Sequence, residues 1–431
     1  MTISPTPLLV LAALSARALA HSARTGGFTP VALDVFGDLD TRQIGEWRGI
    51  SGGGLVLDGA ALVSALQALR NRPGFVGWMA GSGFEACPDV LAAAAKVVAP
   101  LGNPPELVAQ VRTPRAFFAL LRALSVPHPE TCFIPPEHPA GRPIVPPAGW
   151  LVKNAHACGG WHVRALTQAS LRDIGWPAVC GDAATATAPG AWYFQRRTQG
   201  MPLSALFLAD GARARVLGIA RQSMRSRGRR PFVYYGGIGP VRVPGACAAW
   251  VEQVVARLVV ALGLVGLNGI DFLLDEAGDA WLLELNPRPT ASLALFDDAV
   301  PGGLVRAHVA ACRIGALPPP PTIVASSAVV RGFETVYANR PVDIDKEQAA
   351  CLLAQPECCD IPQPGTRLSS GDPVCTVRAE GENEGVVVER LAAQARRVRE
   401  VLNGATGWAD GGRSNQTMRL SAAAHAGKRQ R

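Results

Sequence analysis

Asp271, Glu284, Asn286 and Arg288 are the residues whose types and spacing could do chemistry together. Two apolar runs carry them, on either side of a polar turn at 276–279. Successive side chains on a strand point to opposite faces. Glu284 and Asn286 therefore share one face, and Trp281, Leu283 and Leu285 share the other. A short loop joining two paired strands predicts Asp271 directly opposite Glu284. Two carboxylates and an amide oxygen then meet on one patch among apolar neighbours. Buried without partners they would cost several kcal/mol, so the patch calls for a cation or an arginine. Oxygen donors suit Mg²⁺, with Mn²⁺ as a substitute, and substrate phosphates and waters complete its shell. Arg288, four residues past Glu284, can reach the same phosphates. A structural acid–arginine network uses the same residue types, and the spacing leaves that alternative open.

A second passage complements the first. Trp150, Leu151 and Val152 lead to Lys153, and a loop of small residues follows, ending in Gly159 and Gly160. Such a loop can close its amides over a phosphate while the ammonium pairs with the oxygens. Lysine is scarce here: of 42 basic residues only Lys96, Lys153, Lys346 and Lys428 are lysine. His156 and His162 border this loop, where loop packing and catalysis are both open to them.

The elements that must position these residues follow from periodicity. Strands are expected at 7–13, 30–36 and 74–78, with helices at 15–23, 55–69 and 88–98. That alternation predicts a parallel sheet with helices on its faces, and ligands at the carboxyl ends of its strands. Ser15, Arg17, Asp34, Asp38 and Asp40 are the polar residues at those ends, and turn or helix-cap roles compete with substrate binding. A helix at 113–124 begins with Pro114 in its first turn. A proline-rich connector at 127–147 precedes strands at 150–153, 192–197, 203–208 and 214–221. A long helix at 246–262 leads into the hairpin 268–286. Beyond a proline boundary at 318–321, short strands at 325–336 and 361–377 and a helix at 386–402 make a β-rich module. Residues 405–431 show no apolar period and are expected to be disordered.

The arginine run Arg213, Arg215, Arg221, Arg225, Arg227, Arg229, Arg230 remains. Its first part reads as a strand and residues 225–230 as a loop. A solvated loop, a clamp for an anionic substrate or phosphate, and a nucleic-acid groove all accommodate it. Interleaved aromatics, which a groove would want, are few, so nucleic acid is not expected.

Together the two passages resemble the ATP-grasp superfamily, particularly the predicted ATP-dependent carboligases related to biotin carboxylase. The resemblance covers residues 5–400. It implies α/β and α+β domains in series: a Rossmann-like leading domain at 1–108, an ATP-grasp domain at 109–317 and a small β-rich domain at 318–404. The ATP-grasp domain would consist of two subdomains with a hinge near 193–200, and the basic tail 405–431 would follow the last domain. It implies two Mg²⁺ ions held by Asp271, Glu284 and Asn286, with Arg288 near the reacting phosphoryl group. Lys153 and Arg115 would contact the phosphates, and Gly159 and Gly160 would close over them. Gln195 and Arg196 would border the adenine on the hinge strand. Two positions depart from the family pattern: Arg196 stands where an acidic residue is usual, and Asn154 and His156 replace a more basic start to the glycine loop.

The implied function is an ATP-dependent ligase that activates a carboxylate as an acylphosphate for attack by an amine, with small-molecule substrates. Relatives of this type suggest a setting in cofactor biosynthesis. A biotin carboxylase-like carboxylation and a non-catalytic nucleotide-binding protein are the alternatives. Composition agrees with a folded enzyme, with 48% hydrophobic and 18% charged residues among 431. The net charge of +8 owes half its excess to the tail beyond 404, so it does not argue for nucleic acid. Ten scattered cysteines lack a paired-ligand spacing and point to reduced thiols and a cytoplasmic setting. The apolar run at 8–14 imitates a signal peptide but lacks a preceding positive charge, so a buried strand is expected. No run of eighteen consecutive apolar residues suggests a membrane span, and a homo-oligomer is compatible with all of this.

Overall fold

The apolar run near the N-terminus is an internal strand. Leu8–Ala12, buried at every position, lies between Thr29–Asp34 and Phe75–Ala80. With Glu46–Gly49 outside Thr29–Asp34, the four strands form a wholly parallel sheet. The computed structural model describes residues 6–133, 148–175, 192–319 and 329–404. The helix expected from residue 55 is Gly59–Leu69. It starts there because the Asp58 carboxylate caps the amides of Ala60 and Ala61, leaving Leu55 and Val56 exposed in the preceding turn. Pro88–Val97 and Pro114–Ala123 form as expected, each with proline in its first turn. A third such helix, Pro105–Val111, joins them and was not legible as a separate element.

Two antiparallel sheets carry the polar patch and the lysine. The smaller has the order Thr131–Cys132, Trp192–Arg196, Trp150–Asn154, Arg164–Ala165. The larger has eight strands, beginning Ala280–Asn286, Val265–Leu274, Met201–Asp210 and Ala214–Arg227. It continues through Arg230–Gly239, Val330–Tyr337, Pro373–Gly381 and Cys358–Cys359. One face of this sheet packs on the helix Gly245–Leu262, whose Val251, Val255 and Leu258 meet Leu203, Phe207, Ile270 and Phe272. Eighteen residues of mean hydropathy 1.5 would suffice to cross a membrane, but here one stripe of the helix is core. The other face packs on Gly303–Ile314 and on the leading sheet's helix Arg17–Thr25, so Leu208 and Leu267 share a core with Leu9, Leu19 and Leu304.

The expected loop at 225–230 is a correction. Arg225 and Arg227 end one strand, Arg230 begins the next, and only Gly228 and Arg229 make the turn. Gly228 adopts φ +56°, which a two-residue hairpin connection requires. The C-terminal strands extend the same large sheet, and the helix Glu384–Leu402 covers them through Val387, Leu391 and Val398. The early part of the strand expected at 325–336, residues 134–147 of the connector, the end of the 318–321 boundary and the tail from 405 lie outside the described residues.

Candidate active site

The hairpin delivers the patch, but a bulge at Leu283 breaks the expected alternation, so Leu285 shares the core with Leu282 and Ala280 and not with Trp281 and Leu283. Asp271 pairs in register with Glu284, and Gly269 with Asn286, with a bulge directly after Asp271. The Asn286 amide donates to Asp271 Oδ2 at 3.2 Å, and the Gln222 amide donates to Asp271 Oδ1 at 2.9 Å. Burial, reinforced by Glu284, pushes the Asp271 carboxyl up to about 7. Desolvation would raise Glu284 too, but the guanidinium of Arg112 outweighs it and holds that carboxyl below its usual range. Negative charge on this patch is only partly balanced.

Arg112 is a site residue the sequence reasoning missed. It is buried, and it donates to Glu284 Oε1 and, at 2.8 Å, to Asn286 Oδ1. Its Nη2 also lies 3.5 Å from Glu85 Oε1. Glu85 was missed as well. Although buried, it is held at about 2, because Arg288 and Arg112 outweigh the desolvation. Arg288 donates its Nε to Glu85, its Nη1 to the Pro289 carbonyl at 3.0 Å and its Nη2 to Asn286 Oδ1 at 3.5 Å. The signal for Glu85 was available: it follows the carboxyl end of Phe75–Ala80, and the carboxyl ends of parallel strands are where ligands gather. Arg115, the basic residue expected to contact phosphate, is exposed and lies over the Phe133 ring at 4.6 Å. It does not reach the patch. Arg112 does, because the short turn before Pro114 aims it inward.

Opposite the patch stands the smaller sheet. The Lys153 ammonium donates to Gln195 Oε1 at 2.7 Å, and Gln195 donates onward to the Thr131 hydroxyl at 3.2 Å. Burial lowers the Lys153 pKa, against the pull of Glu284 and Asp271. Arg196, next along the strand, faces the other way and lies over Trp150 at 5.9 Å. Gln195 is thus brought to the site, and Arg196 is not. Gly159 and Gly160 adopt φ of +67° and +73°. The amide of Tyr234 donates to the Gly159 carbonyl at 2.9 Å, pinning the loop against the large sheet. A Cβ on Gly160 would stand 1.7 Å from the Phe232 carbonyl oxygen, so no side chain fits there. His162 lines the resulting cleft with Arg112, Asn154, Ala155, Tyr193 and Glu284. Burial pushes its imidazole down to about 4, and its Nδ1 is buried without a partner. The amide of His156 donates to Asn154 Oδ1 at 2.8 Å, which shapes the start of the glycine loop.

The leading-sheet residues expected to bind substrate are otherwise engaged. Arg17 donates to Asp360 Oδ1 at 2.8 Å and lies 3.6 Å from Asp40; Ser15 donates to the same Asp360 oxygen at 3.2 Å. Asp40 accepts the backbone amides of Asp360 and Ile361 at 2.9 and 3.0 Å. Asp34 accepts the amides of Ala16 and Gly37 and the indole of Trp47, at 3.0, 2.8 and 2.7 Å. Asp38 is buried among these acids. The strand ends are capped by the segment around Asp360, so Ser15, Arg17 and Asp40 dock one part of the molecule on another, while Asp34 braces its own sheet. They do not face the patch.

Comparison with known proteins gives the fold a place. Residues 115–292 match the ATP-grasp domain family. No curated protein matches the sequence. The biotin carboxylase domain of 2-oxoglutarate carboxylase from Hydrogenobacter thermophilus, solved with MgADP, ADP and bicarbonate, has a similar structure. Its TM-score is 0.65 at 12% identity, covering 90% of this chain and 89% of that one. N5-carboxyaminoimidazole ribonucleotide synthetase in its ADP complex gives 0.60 at 14% identity, covering 94% and 100%. An L-amino acid ligase from Bacillus licheniformis gives 0.61 at 13% identity, covering 92% and 98%. At these identities the likeness is one of fold.

Proposed function

We propose that this chain, which carries an ATP-grasp domain at residues 115–292, is an ATP- and Mg²⁺-dependent ligase joining a small carboxylate to an amine. The observation that carries the reading is one cleft with two complementary walls. Asp271, Glu284 and Asn286 lie on one side, and Lys153 with the Gly159 and Gly160 loop on the other. The fold neighbours include an amino acid ligase and a carboxylase domain, which supports the same class.

The residues fit a divalent cation. Asp271 sits opposite Glu284 with its carboxyl pushed up to about 7 by burial and by that neighbouring acid, a repulsion that a cation would relieve. Asp271, Glu284 and Asn286 supply the oxygen donors Mg²⁺ prefers. When bound there, the ion would neutralise the phosphate oxygens of the nucleotide.

The reaction has two displacements. The carboxylate attacks the γ-phosphorus of ATP, which gives an acylphosphate and ADP. The amine then attacks the acyl carbon, loses a proton and expels phosphate. Lys153, tethered by Gln195, meets phosphate oxygens as a point charge. The glycine loop supplies backbone amides over them. Arg288, fixed by Glu85 and the Pro289 carbonyl, presents its guanidinium where charge builds on the transferred group. His162 is neutral near pH 7, so it positions by hydrogen bonding rather than by charge.

A screen of carboxylate–amine pairs for ADP release, read by product mass, tests the reading. ADP release should require one carboxylate, and Glu284→Ala should lower it by about 100-fold or more. Release unaffected by that change would remove the patch from the mechanism. Labelled bicarbonate trapped in product would replace the amide-forming reading with carboxylation, the chemistry the first neighbour's bicarbonate complex suggests.

A further inference from the structure

The glycine loop does not end at the nucleotide cleft. Trp161 follows Gly160 and packs edge-on against Tyr337, ring centroids 5.7 Å apart, while Tyr337 meets Tyr235 at 4.8 Å. Two arginines of the hairpin lie over these rings. Arg227 is 5.5 Å from the Tyr337 centroid and 5.9 Å from Trp161, and Arg230 is 5.3 Å from Trp161. Their neighbours Arg225 and Arg229 are paired, with Glu334 and Asp173. Neither Arg227 nor Arg230 has a carboxylate partner among the described residues; Arg227 Nη2 donates to the Ala338 carbonyl at 3.4 Å, and the Nε of Arg230 is buried without any partner. A desolvated guanidinium donor left unpaired, like the Arg230 Nε, is costly, and an aromatic face holds such a group while its remaining N–H groups can meet an oxyanion.

This cluster borders the patch. The Tyr337 hydroxyl donates to the Tyr234 carbonyl at 3.2 Å, and the Tyr234 amide holds Gly159 of the glycine loop at 2.9 Å. Arg227 is on the same strand as Gln222, which holds Asp271, and five residues beyond it. At about 3.3 Å per residue that places Arg227 roughly 16 Å along the strand.

We infer that Arg227 and Arg230, backed by Trp161 and Tyr337, seat a second anionic group of the substrate, a carboxylate or a phosphate, remote from the carboxylate that reacts. The substrate is thus an elongated dianion, activated at the Arg288 end and anchored at the hairpin end. This rests on the ligase reading above and deepens it.

The test compares monocarboxylates with α,ω-dicarboxylates and ω-phosphonocarboxylates of matched length, by ATP-dependent ADP release and by ligand-induced shifts in thermal unfolding without ATP. Wild-type protein should prefer the dianions, most strongly at long chain lengths. Whichever series binds tighter identifies the second group as carboxylate or phosphate. The double variant Arg227→Gln, Arg230→Gln should reduce the dianion-to-monoanion preference by about ten-fold, and Arg227→Lys, Arg230→Lys should restore part of it. Equal use of mono- and dianions by the wild type, or a preference the glutamine variant leaves intact, overturns the inference. If the glutamine variant does not fold, the wild-type preference and the lysine variant decide. Absence of ATP binding in the wild type would instead defeat the ligase reading, and the unfolding shifts would still report on the anion site.

Discussion

At the residue scale, Arg112 has the largest consequence. Its guanidinium joins Glu85 from the leading sheet to Glu284 and Asn286 from the hairpin, three groups that would otherwise repel or stand unpaired. Removing it leaves Glu85 to Arg288 alone and strips Glu284 of its guanidinium partner. Arg112→Met should therefore lower unfolding free energy by about 3 kcal/mol, measured by urea titration. A loss below about 1 kcal/mol would mean water already solvates Glu85 and Glu284. The sequence put a basic residue near this helix start but chose Arg115, because helix periodicity does not say which of two arginines flanking a proline points inward. Lys153 needed no such choice. Its strand and its glycine loop are contiguous, so local pattern sufficed.

At the element scale, the glycine loop and the hairpin make the cleft. The loop holds its place through one backbone bond, from Tyr234 to Gly159, and through the space left by the missing Gly160 side chain. Gly160→Ala combines a strained positive φ with a collision against the Phe232 carbonyl. The loop should lift from the sheet, weakening ATP binding by about ten-fold or more while the melting temperature changes little. A titration of the variant with a fluorescent ATP analogue checks this, and unchanged affinity would show that the loop does not cover the nucleotide. The expected pairing of Asp271 with Glu284 is reached only through the bulge at Leu283, because the pairs next to the turn, Leu274 with Ala280 and Phe272 with Leu282, would put Asp271 opposite Leu283. Arg225 to Arg230 were misread as a loop, because a run of charges hides strand alternation when the partners that shield it come from distant elements such as Tyr337 and Glu334.

At the scale of the whole molecule, the acids at the leading strand ends set a pH dependence. Burial, with Asp360, Asp40 and Asp34 nearby, pushes the Asp38 carboxyl up to about 9 from an ordinary 3.8. The folded protein then binds a proton that the unfolded chain releases. The contribution of Asp38 to stability is full below about pH 4 and is lost as pH rises towards 9, by at most about 1.4 kcal/mol per unit for one proton. Asp38→Asn should remove that slope. Melting temperatures at pH 5 and pH 8 should show the variant gaining on wild type as pH rises, and parallel curves would mean Asp38 ionises freely in the fold. Arg17 belongs to the same junction, so Arg17→Ala should loosen the docking of the C-terminal strands rather than raise a substrate KM.

What the sequence alone determined is local or periodic. The buried first strand, the lysine strand with its glycines and the helices that begin at Pro88 and Pro114 all follow from interactions a few residues apart. Tertiary structure alone decided the rest. Glu85 and Arg288 are 203 residues apart, and Arg17 and Asp360 are 343 apart. No spacing rule connects such pairs, because each residue's partner is chosen by how separate sheets pack. The same packing drew Ser15, Arg17 and Asp40 into a docking junction and brought Arg112 and Glu85 into the site. Charge in a low-dielectric interior must find its complement wherever the fold brings one.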